Sequence, residues 1–288
     1  MVNKQRADAS GDLDTAGQAT ALGREAHQRI LAREYDAARS LIERALSLDP
    51  ENAMLAHTKA HLCTDSGAFD EGAEYLRSFL STHDPFEGVN VHTAWHLAYI
   101  ELALGRPKAA LDWHRRVVAP TLCSQTFYSA VSLLWRLEVF GYDRDALRAD
   151  WAAMRTTAFG IAGTSHLDDL ARAMVFMASG DEPHLAGLLE RVGAASDDPV
   201  ATDVVLPVIN GLRAYRRGDF ASAVDLIEPI APSFGQLSEF TDQLSVLHDT
   251  LKDARTRALA SAGTAYQPAA DPAHHVRSFT IPGRASAG

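Results

Sequence analysis

A recurrence at an interval of 34 residues constrains this chain more than any other feature. Ala26, Tyr35, Ala38 and Ala45 are matched by Ala60, Phe69, Gly72 and Phe79, each 34 positions later, and Pro50 by Pro85 at 35. A further copy runs through Ala98, Gly105, Ala110, Val117 and Pro120. Weaker copies follow over 127–157, turning at Gly141-Tyr142-Asp143, over 166–193, turning at Gly180-Asp181-Glu182, and over 204–230, turning at Gly218-Asp219-Phe220. From Gln18 onward the apolar spacing is helical, with almost no strand-like alternation. An interval of this length in a helical sequence is one helix–turn–helix hairpin per repeat. Small residues let the two backbones approach, an aromatic fills the wedge, and proline ends the second helix. One hairpin cannot bury its own apolar face, so consecutive hairpins must stack.

These small, aromatic and proline positions resemble the tetratricopeptide repeat. The fold they predict is all-α: a tetratricopeptide-like, right-handed superhelical solenoid of about six helical hairpins with a C-terminal capping helix over 238–260. Residues 1–17 read as a disordered N-terminal arm, 18–260 as the solenoid and 261–288 as a disordered C-terminal tail.

Charge and composition exclude several classes of partner. With Lys+Arg 27 against Asp+Glu 37 the net charge is −10, which argues against nucleic acid and against an anionic membrane surface. No run approaches the ~18 apolar residues of a membrane span, and no apolar core follows the basic start that a secretory signal would need. The two cysteines, Cys63 and Cys123, are expected to be reduced and buried in a cytoplasmic protein. Motifs for phosphate loops, nucleophile elbows and cysteine-ligated zinc are missing from the sequence.

The chemistry concentrates in two pairs of the form His-x-x-x-His. His57 and His61 stand on one predicted helix, His92 and His96 on the next predicted first helix. Residues four apart share a helix face, so four imidazoles are expected to converge on one groove if the two helices are neighbours. Their places in the repeat resemble the concave-wall positions that tetratricopeptide proteins use to hold ligands. Asp65 continues the stripe by another step of four, and Trp135 with Glu138 stands on the following first helix. Such imidazoles suit a divalent metal: zinc directly, or iron or manganese with Asp65 or Glu138 added. Neither pair contains the glutamate of the metalloprotease pattern His-Glu-x-x-His. Histidines that merely fill the space between helices are the alternative. His83 and His114 read as solvent-facing.

The middle of the chain is also similar to the tetratricopeptide repeat protein 38 family. That similarity is carried by 56–62 (Ala-His-Thr-Lys-Ala-His-Leu), 92–98 (His-Thr-Ala-Trp-His-Leu-Ala) and 132–138 (Ser-Leu-Leu-Trp-Arg-Leu-Glu), with weaker echoes around Gly218-Asp219-Phe220. It implies the fold and a histidine-lined interior, and no activity. The sequence departs from the family where Thr64 stands in place of a glutamate, at Ser129-Ala130, at Ala171 and at Leu244-Ser245.

Together these features predict a cytoplasmic binding or interaction protein whose concave wall captures a peptide segment or a small polar ligand. His57, His61, Asp65, His92, His96, Trp135 and Glu138 are the expected contacts, and the four histidines are the expected ligands should a divalent metal be bound. The alternative is an enzyme that uses the same groove, with a metal or with histidine as acid and base. A scaffold working through its outer surface would leave the histidines incidental.

Overall fold

A computed structural model describes residues 6–160, 165–261 and 263. Among the described residues the chain is all-helical, with thirteen α-helices and no strand. It divides into two compact units, residues 1–113 and 114–288, where the sequence suggests one continuous solenoid.

The first unit contains α1 (Arg6–Leu31), α2 (Tyr35–Leu48), α3 (Ala53–Ser66), α4 (Phe69–Thr82), α5 (Asn90–Ala103) and α6 (Pro107–Trp113). Each odd helix packs on the even helix that follows, and α3 also packs on α1 and α5. α1 begins at Arg6 and so takes in residues 6–17 of the expected arm, a segment rich in Ala and Asp with no proline to stop it. The turns have local causes. Asn52 caps α3 by accepting from the Met54 and Leu55 backbone N–H groups at 3.0 and 3.3 Å. Gly67 ends α3 with φ 74°. One repeat earlier the same left-handed turn falls on Arg33, at φ 60°, where a Cβ is strained.

Small residues set how closely the helices approach. A Cβ on Gly72 of α4 would lie 2.7 Å from Cys63 Cβ on α3 and 2.9 Å from Ile100 Cδ1 on α5. Glycine is therefore required for α3 and α5 to share one neighbour at that separation. Ala19, Ala26, Ala38 and Ala45 are buried with Ile30, Ile42, Leu55 and Leu62 in the α1–α3 core.

The second unit contains α7 (Ser124–Val139), α8 (Arg148–Gly160), α9 (His166–Ser179), α10 (Glu182–Gly193), α11 (Leu206–Arg216), α12 (Phe220–Ile227) and α13 (Thr241–Ser261). A π-helical turn, His114–Val118, opens it. The turns at Gly141, Gly180 and Gly218 adopt φ 89°, 72° and 83°, at the places the sequence marks as hairpin ends. The last helix does more than cover a final face. α13 contacts α11 and α12 and also returns to α7, the first helix of the unit. Tyr128 donates to the Gln243 carbonyl at 2.9 Å, Trp135 Nε1 to Thr250 Oγ1 at 3.0 Å, and Arg136 to Asp249, Ser245 and the Asp242 carbonyl. Of the expected tail, all but residues 261 and 263 lies outside the described residues. No helix among the described residues is long and apolar enough to cross a membrane.

Candidate metal centre

The two His-x-x-x-His pairs lie on α3 and α5, which are direct neighbours. Helical spacing puts both members of a pair on one face, and the contact between the helices turns the two faces toward each other. All six pairs of rings are close. The centroids of His57 and His61 are 4.6 Å apart, His57 and His92 5.1 Å, His57 and His96 5.4 Å. The remaining separations are 6.1 Å for His61 and His92, 4.3 Å for His61 and His96, and 4.8 Å for His92 and His96. One nitrogen from each ring lies within 4.8 Å of those of the other three.

The cluster has depth. His61 and His96 are buried, at 5 % and 0 % exposure, while His57 and His92 are half-buried and form its outer side. Trp95, itself buried, is a wall: the His92 ring stacks on it at 5.2 Å with an interplanar angle of 6°, and His96 meets it edge-on at 5.0 Å. Behind His96, Thr64 Oγ1 lies 3.2 Å from Nδ1. The His57 Nε2 atom has no hydrogen-bond partner among the described residues.

Burial dominates the electrostatics. It holds His61 down at about 3, with the neighbouring imidazoles His92 and His27 adding to the effect. Burial first, and then the surrounding imidazoles, likewise hold His57 and His96 well below the ordinary histidine value. These three rings are therefore neutral at physiological pH and offer lone pairs, the form a metal requires. The same shift makes them poor acid–base catalysts by themselves, since efficient proton transfer wants a pKa near the working pH.

Four imidazoles held tetrahedrally by one ion through nitrogens at ~2.0–2.1 Å would set their ring centroids roughly 5 Å apart and the nitrogens roughly 3.4 Å apart. The observed centroid separations bracket that value on both sides. The nitrogens need only a modest contraction, within reach of small side-chain rotations. The donor set is all nitrogen, which suits zinc, copper or nickel and not magnesium or calcium.

The other expected contacts fall elsewhere. Asp65 is half-buried on α3 and is not one of the four grouped ligands; burial, and after it the Asp65 carboxylate, push the Tyr35 hydroxyl of α2 up. The reason is angular. Each step of four along a helix turns the stripe by roughly 40°, whereas a step of seven turns it by only about 20°. Thr64, seven residues after His57, therefore stays nearer the histidine line, and it is Thr64 that reaches His96.

Trp135 and Glu138 belong to the second unit, with partners there. Trp135 is fully buried and bonded to Thr250. Glu138 accepts from Trp151 Nε1 at 2.7 Å and pairs with Arg144 and Arg216, so a polar face that reads as a ligand contact is an internal ion-pair network. His114, expected at the surface, is fully buried, because it follows the buried Ala110 and Leu111 at helical spacing. Cys123, expected to be buried, is exposed; Cys63 is buried, and burial pushes its thiol up to about 12.

Three neighbours of the cluster escape the sequence reading. His27 on α1 lies 5.6 Å from His61, ring to ring, and its signal was available, since it precedes His61 by the 34-residue repeat. Trp95 is three residues after His92, a facing position. Thr64 is marked in the sequence only as a departure from the family's glutamate, and a helical threonine usually satisfies its hydroxyl on its own backbone. Comparison with known proteins gives no match to any family model and no match to a solved structure.

Proposed function

We propose that this protein binds one divalent transition-metal ion, with zinc, copper and nickel as the candidates, through His57, His61, His92 and His96. The observation that carries the reading is the set of six ring separations, 4.3 to 6.1 Å, around the roughly 5 Å of a tetrahedral imidazole cage. Neutral rings at physiological pH and the absence of any carboxylate from the ligand group support the same reading. In it, α1 to α6 are successive hairpins of a tetratricopeptide-like solenoid with the ion on the inner wall, in a cytoplasmic protein.

The test is direct. Chain freed of metal by chelation is titrated with zinc and with cobalt, whose visible spectrum reports tetrahedral coordination. One equivalent binds with a tetrahedral cobalt spectrum, and His61→Ala or His96→Ala, each of which removes one of the four ligands, weakens binding markedly. A wild-type chain that takes up no stoichiometric ion sinks the reading.

A second reading rests on the outer pair. His57 and His92 are half-buried and form the outer side of the cluster, so a peptide carboxylate or a small polar ligand could be captured there without metal. It predicts ligand binding that survives chelation and is lost in His57→Ala. Acid–base catalysis by metal-free His61 is disfavoured by its depressed value.

A further inference from the structure

Thr64 is buried beside the innermost histidine, on the helix opposite to it. Its hydroxyl lies 2.8 Å from the Ala60 carbonyl, one turn back on α3, and 3.2 Å from His96 Nδ1 on α5. Thr64 is 7 % exposed and His96 0 %. A hydroxyl has one proton and two lone pairs. The Ala60 carbonyl can only accept, and its separation is that of an ordinary O–H···O bond, so the Thr64 proton is committed to Ala60. The contact with His96 then requires the imidazole to donate, which puts the proton on Nδ1. A neutral ring with its proton on Nδ1 carries its lone pair on Nε2.

We infer that Thr64 is a positioning residue that fixes His96 in the Nδ1–H tautomer and so makes Nε2 its metal-binding atom. This rests on the metal reading proposed above and deepens it. The device is a neutral counterpart of the carboxylate or carbonyl that usually orients a metal-bound imidazole. A hydroxyl whose proton is already spent accepts from the ring without bringing a negative charge into the cluster. β-Branching stiffens the arrangement, since Thr64 cannot turn to another rotamer without giving up its bond to Ala60.

The experiment uses the full chain in three forms: wild type, the near-isosteric Thr64→Val, and Thr64→Ser, which keeps the hydroxyl. Two quantities are read. Long-range ¹H–¹⁵N NMR of the metal-free protein, with His96 assigned from a His96→Gln spectrum, gives its tautomer, and competition against a chelator gives zinc affinity. Wild type and Thr64→Ser should show the Nδ1–H form. Thr64→Val should show a mixture or the Nε2–H form, and should bind zinc about 10- to 100-fold more weakly, with Thr64→Ser restoring affinity to within roughly threefold of wild type. A merely structural threonine would lower the melting temperature of the valine variant and leave the tautomer alone. The inference is overturned by an Nε2–H His96 in the wild type, or by a valine variant with unchanged tautomer and affinity. A wild-type chain that takes no zinc overturns the metal reading and the role of Nε2 with it, whereas zinc bound equally well by wild type and valine variant overturns this inference alone.

Discussion

Each unit buries a polar cluster between helices, and the two clusters differ in kind. In the second unit the buried guanidinium of Arg136 meets the Asp249 carboxylate, the Ser132 and Ser245 hydroxyls and the Asp242 carbonyl, so donors face acceptors from the same chain. In the first unit four imidazoles face one another, and the group contains no carboxylate. A neutral imidazole offers one N–H donor and one lone pair, so this cluster lacks the opposed charges of the other. The Arg136 cluster thus holds charges of both signs, and the imidazole cluster holds four potential metal ligands.

The largest effect should come from breaking the complete cluster. Arg136→Ala leaves the Asp249 carboxylate buried without its partner, and loss of one member of a buried pair costs roughly 3–5 kcal/mol. Urea unfolding should show it, while His61→Ala in metal-free protein should cost far less. An equal loss in the two variants would mean that the two clusters stabilise the fold alike.

Acid should strain the first unit more. A histidine whose folded pKa lies below its unfolded value of about 6.5 leaves the unfolded chain holding the proton, so stability is complete above that pH and falls as the pH drops toward the folded value. His61 at about 3, together with His57 and His96, behaves this way in the first unit. In the second unit His114, held at about 4 mainly by burial, does so too. Between pH ~6.5 and ~4, replacing His61 and His96 together should flatten the decline of the urea midpoint more than His114→Leu does. The reverse order would place the acid-sensitive groups in the wrong unit.

The smallest effect concerns the turns. The second unit makes its left-handed hairpin turns with Gly141, Gly180 and Gly218, and the first uses Gly67 and Gly105 but places Arg33 at φ 60° in its first turn. Arg33→Gly should stabilise by about 0.5 kcal/mol, relief of left-handed strain being partly offset by a freer unfolded chain. A thermal melt of that variant that moves downward would mean that Arg33 contributes contacts outweighing its strain.

How far the sequence reads depends on the range of the interactions. The hairpin helices and their glycine turns follow from residues within one repeat, and so does the pairing of His57 with His61 and of His92 with His96. That the two pairs meet needs only adjacent helices, one step further. Beyond that the pattern fails for physical reasons. Asp65 lies on the stripe only if a step of four is taken as straight, and the accumulated rotation hands the place to Thr64. Trp135 and Glu138 look like continuations of an inner wall because nothing near them in sequence shows that α13 and Trp151 occupy their polar atoms.

The return of α13 to α7 also bears on the order in which the molecule can be made. Trp135 and Thr250 are 115 residues apart, whereas Thr64 and His96, which join the helices of the histidine cluster, are 32 apart. As the polypeptide leaves the ribosome, the histidine-bearing helices find their neighbours almost at once. The tryptophan and arginine of α7 must wait for their partners on α13 until that helix emerges.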